Sequence, residues 1–269
     1  MASRTGRSAS RPKSGWAVVA GQELRDLWLG GRGLLLLFSF SLLVSVITYL
    51  GATNEGVNFL EQRETVNLTL QVAVIFGALL ALLAAADAIS GERERGTLEN
   101  LLLTPLPRRH LVSGKLLAAL SLWVAALVVA VPYLWFLGHE VGAVDDAIVA
   151  GLLVGTLVAL SLSAFAVIVS SLASTNRLSL SASLFALLAL YAPTLLPAGA
   201  KQGWAGELLL RVNPMTAAEH YIRNIVINQY QWTTELAWLI SPIVAGLGLA
   251  TAAILVAPRL ITLRGGSAG

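Results

Sequence analysis

Residues 68–86 read LTLQVAVIFGALLALLAAA, an apolar run that ends at Asp87. A bilayer core about 30 Å thick is crossed by about 20 mostly apolar residues in a helix, so this run can span by itself. Inside hydrocarbon the backbone groups of a single segment find partners only within a helix. The same reasoning along the chain draws six spans, at about 33–50, 68–86, 116–137, 147–172, 178–196 and 236–257.

Composition agrees with this. Of 269 residues, 56% are hydrophobic and 12% charged, with a mean hydropathy of +0.75. A soluble domain carries about 25% charged residues, so a water-soluble enzyme is excluded. There is no cysteine, which removes disulfides, thiolate metal sites and thiol nucleophiles. The predicted class is an all-α polytopic membrane protein of six transmembrane helices. It has one transmembrane domain over 16–258, a disordered basic tail at 1–15 and a second tail at 259–269.

The charges sit at helix ends, so the net charge of +3 calls for lipid headgroups as partner and not for nucleic acid. With the N-terminus cytosolic, the inner set is Arg4, Arg7, Arg11, Lys13, Arg25, Arg32, Arg93, Arg95, Arg108, Arg109, Lys115, Arg177, Arg259 and Arg264. The outer set is Arg63, Lys201, Arg211 and Arg223, and the two sets together hold all 18 basic residues. The imbalance predicts that both termini are cytosolic.

Two further segments do not span. Trp16, Val19, Leu24, Leu27 and Trp28, mixed with Gln22, Glu23, Arg25 and Asp26, suit a helix lying in the membrane interface or a cytosolic extension of the first span. Between the fifth and sixth spans, 199–235 forms an outer segment, either a lid, a re-entrant pair or an amphipathic loop on the headgroups. Within it Asn213-Pro214 is an N-cap followed by proline at the first helical position. Tyr221, Ile222, Ile225 and Val226 then share one helical face. Small residues at Gly151, Gly155, Ala159 and Ser163 permit close helix packing, within the subunit or between subunits.

Catalytic chemistry is missing at depth. Asp87 is the one acidic candidate in a span and lies at its end; His110, His139 and His220 form no metal-ligand pattern. Ser161, Ser163, Ser170, Ser179, Ser181 and Ser183 have no base in their own helices. The single Gly114-Lys115 pair is followed by Leu116 where a phosphate loop needs Ser or Thr, so the chain is expected to hold no nucleotide itself and no metal.

The loop 90–115, SGERERGTLENLLLTPLPRRHLVSGK, carries far more chemistry than a connection needs. Glu92, Arg93, Glu94 and Arg95 alternate in sign and present both charges on a surface. Gly96 allows a sharp turn, and Thr97 can cap the next one. Leu98, Leu101 and Leu102 make an apolar stripe, and Pro105 and Pro107 end the short helix. Arg108, Arg109 and Lys115 return the chain to the anionic leaflet. The stripe can lie on lipid or dock into a soluble partner; Glu92, Glu94 and Glu99 disfavour anionic headgroups.

The run Glu92-Arg93-Glu94-Arg95-Gly96-Thr97-Leu98-Glu99, with Leu101-Leu102, Pro105, Arg108 and Gly114-Lys115, resembles the loop of ABC-2 type permeases, the membrane halves of one class of ABC transporter. Six spans, inner termini, an N-terminal interfacial helix and a broken outer segment are similar to that family along the whole length. The resemblance implies that this loop is a coupling helix seated in a separate ATPase subunit. It implies two membrane subunits, identical or paralogous, and two ATPases that use ATP and Mg. It also implies the cytoplasmic membrane of a prokaryote. The family exports lipids, glycans, drugs and peptides, and includes a subunit of a copper-maturation system. Short outer loops argue against capture of a bulky outer partner.

No charged ring lines a span, which disfavours a small, highly charged ion as cargo and leaves an amphipathic or lipid-like export substrate as the expectation. Asn67, Thr69, Gln71, Ser179 and Ser183 either face its path or make interhelical hydrogen bonds. The rival is a mechanical or signalling subunit that moves no cargo and acts on an outer partner.

Overall fold

The computed structural model describes residues 15–53, 59–103, 106–201 and 203–261. The expected tails at 1–15 and 259–269 therefore fall largely outside the described residues, as does Pro105. Among the described residues every regular element is helical. The chain runs α1 (Gly15–Leu29), α2 (Arg32–Ala52), α3 (Phe59–Asp87), α4 (Ser90–Glu94), α5 (Leu98–Leu102) and α6 (Arg108–Gly138). Then come α7 (Val144–Ala150), a π turn Gly151–Gly155, α8 (Thr156–Leu172), α9 (Asn176–Tyr191), α10 (Ala198–Lys201), α11 (Trp204–Val212), α12 (Pro214–Val226) and α13 (Ile240–Leu260).

Among the described residues six stretches are long and apolar enough to cross a membrane: Arg32–Gly51, Phe59–Glu94, Arg108–Gly138, Val144–Leu172, Asn176–Leu195 and Leu236–Leu260. Each contains most or all of an expected span. The second and third are markedly longer than the apolar run, because charged residues continue the same helix past it. Glu61, Gln62, Arg63 and Glu64 extend α3 at one end, and Arg108 to Lys115 start α6 at the other. Hydropathy marks where a helix leaves hydrocarbon, not where it stops.

α3, α6 and α8 form the centre, with α13 packed along α8. Trp123 on α6 is fully buried there. A Cβ at Gly77 would lie 2.9 Å from its ring and one at Gly155 2.7 Å. Two glycines on facing helices therefore make room for the indole, whose Nε1 donates to Thr156 Oγ1 at 2.9 Å. Gly151 is held likewise against Leu70, so these members of the small-residue stripe serve packing within the subunit. By contrast α2 and α9 leave large apolar side chains such as Phe38 and Phe185 exposed.

α1, α4 and α5 gather at one end of the bundle, here the basic end, and α12 packs on α3 and α7 at the far end. Asn213 caps α12 by accepting from Met215 N at 2.9 Å and Thr216 N at 3.4 Å. Tyr221, Ile222, Ile225 and Val226 are buried on its one apolar face. α11 before it buries no side chain and exposes Trp204, Leu208 and Val212.

Candidate functional site

At the basic end the chain must leave α3, build two short helices and enter α6. The exit is fixed by hydroxyls. Ser170 of α8 accepts from the amides of Ile89 at 3.1 Å and Ser90 at 2.9 Å. The Ala86 carbonyl lies within hydrogen-bond distance of the hydroxyls of Ser90 (2.8 Å), Ser170 (2.7 Å) and Ser179 (2.8 Å). A helix ends with carbonyls that lack intrahelical donors, and side chains from α8 and α9 supply them here.

The alternating charges that follow each have a separate destination. Glu92 Oε1 lies 2.5 Å from Lys115 Nζ of α6. Arg93 donates to the carbonyl of Ala173 and, at 3.1 Å, to that of Ser171, at the C-terminal end of α8. Glu94 Oε1 accepts from the Asn176 amide at 2.8 Å, at the N-terminal end of α9. Arg95 pairs with Asp87 at 3.2 Å. The cation sits on a helix C-terminus and the neighbouring anion on a helix N-terminus, as the two ends of the helix dipole favour. Asp87 is shared further, by Arg32 at 3.3 Å and by Asn176 Nδ2 at 2.7 Å. The partners of Arg93 and Glu94 lie about eighty residues away in sequence, so residue order alone shows only alternating charge at these positions.

The turn occurs at Gly96, whose φ of +70° suits a residue without Cβ. The Thr97 hydroxyl donates backwards to the Glu92 carbonyl at 3.3 Å. Leu98 is buried among the chain's own core residues and Leu102 is half-buried against them. The predicted stripe thus turns inward over these two residues, while Thr97, Glu99, Asn100 and Leu103 are exposed, Leu103 by 81%. Leu101 belongs to α5. Arg108 donates to the Ile261 carbonyl at 2.8 Å, tying the start of α6 to the end of α13.

Between α1, the start of α2, the ends of α3 and α6 and the α4–α5 segment lies a cavity of about 1120 Å³. Leu35, Leu36, Leu83 and Leu180 supply apolar wall, while Glu23, Asp26, Arg32, Asp87 and Arg108 supply charge.

The five residues proposed for a path do not converge. Asn67 is buried with Oδ1 unpartnered; Thr69 bonds back to the Thr65 carbonyl at 2.9 Å; Gln71 is half-buried. Ser179 is buried on the Ala86 carbonyl, and Ser183 is buried with its hydroxyl unpartnered. From Asn67 to Ala86 is about 28 Å along α3 at 1.5 Å per residue. Among the described residues no group of three or more His, Cys, Asp or Glu is placed to hold a metal.

Sequence reasoning missed two buried cations. Arg63 is 4% exposed and donates to the carbonyls of Val226 at 2.6 Å and Val141 at 2.8 Å. Lys115, expected from the sequence at the headgroups, is 2% exposed. Its neighbour Gly114, pressed against α1, was the available signal.

Comparison with known proteins follows this geometry. Two permeases match part of the chain, both described as "Probable ABC transporter permease protein NosY". The one from Pseudomonas aeruginosa is 43% identical over 95 residues, 35% of this chain and 33% of the relative. The one from Stutzerimonas stutzeri is 40% identical over 93 residues, 34% of this chain and 32% of the relative. Each match therefore spans about one third of the relative's length. Among the described residues six helices long and apolar enough to cross a membrane lie within 17–263; a family model described as "ABC-2 family transporter protein" matches those residues, and the chain belongs to the ABC-2 family of ABC transporter permeases.

Proposed function

We propose that this chain is the membrane subunit through which a separate ATPase drives export, and that the ATPase docks on the α4–α5 segment. Family membership implies an ABC ATPase partner and usually a second permease. One observation carries the docking site. The four charges of Glu92–Arg95 all hold the segment to α3, α6, α8 and α9, while Thr97, Glu99, Asn100 and Leu103 project outward. A small apolar centre with a polar rim, rigidly mounted, is what a protein interface requires.

In this reading two permeases, as a homodimer or with a paralogue, join two ATPases. ATP and Mg are held and used by those partners, and this chain hydrolyses nothing. The basic end faces the cytosol of a prokaryotic cell, across the inner membrane. The cargo is amphipathic or lipid-like, a class suited to the cavity beside the segment, with its apolar wall and charged rim.

The test is co-purification of the complex. Glu99→Lys with Leu103→Glu should abolish ATPase capture and reduce transport at least about tenfold, as expected for loss of an interface centre, with membrane insertion unchanged. Glu94 is left intact because it holds the start of α9. Capture and transport at the unsubstituted level would remove the docking site.

A further inference from the structure

We propose that Lys115 is a positioning residue that makes α1 follow the α4–α5 segment, so that a push on the segment reaches the first span through α1. The proposal deepens the docking reading and rests on it only for the origin of the push. One ammonium joins three elements: Nζ, on α6, lies 2.6 Å from Glu23 Oε1 on α1 and 2.5 Å from Glu92 Oε1 on α4. The lysine side chain is 1% exposed, so water screens these contacts little and each is a charge-assisted bond.

The preceding residue seats α1. A Cβ at Gly114 would lie 2.7 Å from Val19 Cγ1, closer than real contacts allow, and a tight 3.0 Å from the Ala20 amide nitrogen. The Gly-Lys pair thus has two linked jobs: glycine admits the α1 backbone, and lysine fastens it to the coupling segment. Trp28 Nε1 makes a second tie to α6, donating to Ser121 Oγ at 3.1 Å. From there α1 passes through Gly30 and Gly31, the latter at φ +78°, directly into α2.

Two carboxylates share the one cation. Without it, two acidic groups held at most about 5 Å apart by these distances would repel. Loss of Lys115 therefore turns attraction between α1 and α4 into repulsion. Glu23, Glu92 and Lys115 also line the cavity between these elements, so the link sets how far it opens.

Because the chain has no cysteine, exposed Gln22 on α1 and Asn100 on α5 can be converted to a spin-label pair without background. Distances are read by pulsed electron resonance on the full chain in lipid nanodiscs. A narrow distribution is expected with Lys115 and with Lys115→Arg, and a broad, displaced one with Lys115→Met. Glu23→Ala, on the outer helix, should broaden it too and decides the matter if Lys115→Met does not insert. A second pair at Glu140 and Asn228, exposed at the far end, should stay unchanged in every variant. Superimposable distributions in the presence and absence of Lys115 overturn the proposal, and so does equal broadening at both ends, which would mean that Lys115 only holds the fold together. No ATPase is present, so neither result bears on the docking reading; conversely, capture that survives Glu99→Lys with Leu103→Glu removes that reading and leaves this link untouched.

Discussion

Arg63 Nη1 lies 2.6 Å from the carbonyl oxygen of Val226, 163 residues further along the chain. Its Nη2 reaches Val141 at 2.8 Å and Gly142 at 3.3 Å, so one guanidinium gathers the ends of α3, α6 and α12. A cation at the C-terminus of α12 also meets the negative end of that helix.

Arg63→Ala should therefore leave buried carbonyls without donors. The expected loss is about 1.5–3 kcal/mol, the range for hydrogen bonds to a charged group, read as a lower thermal midpoint in detergent. Arg63→Lys should recover only part, because an ammonium cannot reproduce the planar fork. Full recovery by lysine would show that charge alone suffices.

Ser170→Ala removes the acceptor for the Ile89 and Ser90 amides. Leaving buried amides unpaired costs about 1–3 kcal/mol. Since both amides begin the segment that carries the ERER run, faster hydrogen exchange should be confined to residues 88–96. Uniform acceleration across the bundle would contradict this local role.

Burial holds the Glu219 carboxyl above its usual range, with Lys201 and Arg223 opposing the shift. A raised folded pKa means that the folded state favours the protonated form. That contribution is fully present below the unfolded pKa and is lost as pH rises through the folded one. Glu219→Gln should raise the thermal midpoint near neutral pH by a few degrees and change little in the acid range. Parallel pH profiles for the two proteins would remove burial of this carboxylate as the cause.

Apolar length alone locates the six spans, because the bilayer imposes one scale on every crossing. The Asn213 cap and the Tyr221–Val226 face were likewise legible, being set by neighbours within a turn or two. Arg93 and Glu94 were not. Their residue types suggested an open charged surface, while their partners, the ends of α8 and α9, come near only when the bundle closes. Leu98 failed for the same reason: a local stripe says that one face is apolar, not whether lipid, a partner or the chain itself covers it. Arg63 and Lys115 show the limit of counting basic residues by side, since each spends its charge inside the protein.

The three hydroxyls around the Ala86 carbonyl weld the lower tips of three crossing rods. These bonds resist sliding of one rod past another, so a stroke of the kind proposed would move this rod mainly by tilting it. The 29-residue rod from Phe59 to Asp87 is about 43 Å long at 1.5 Å per residue, so a lean of about 5° swings its distant tip by about 4 Å.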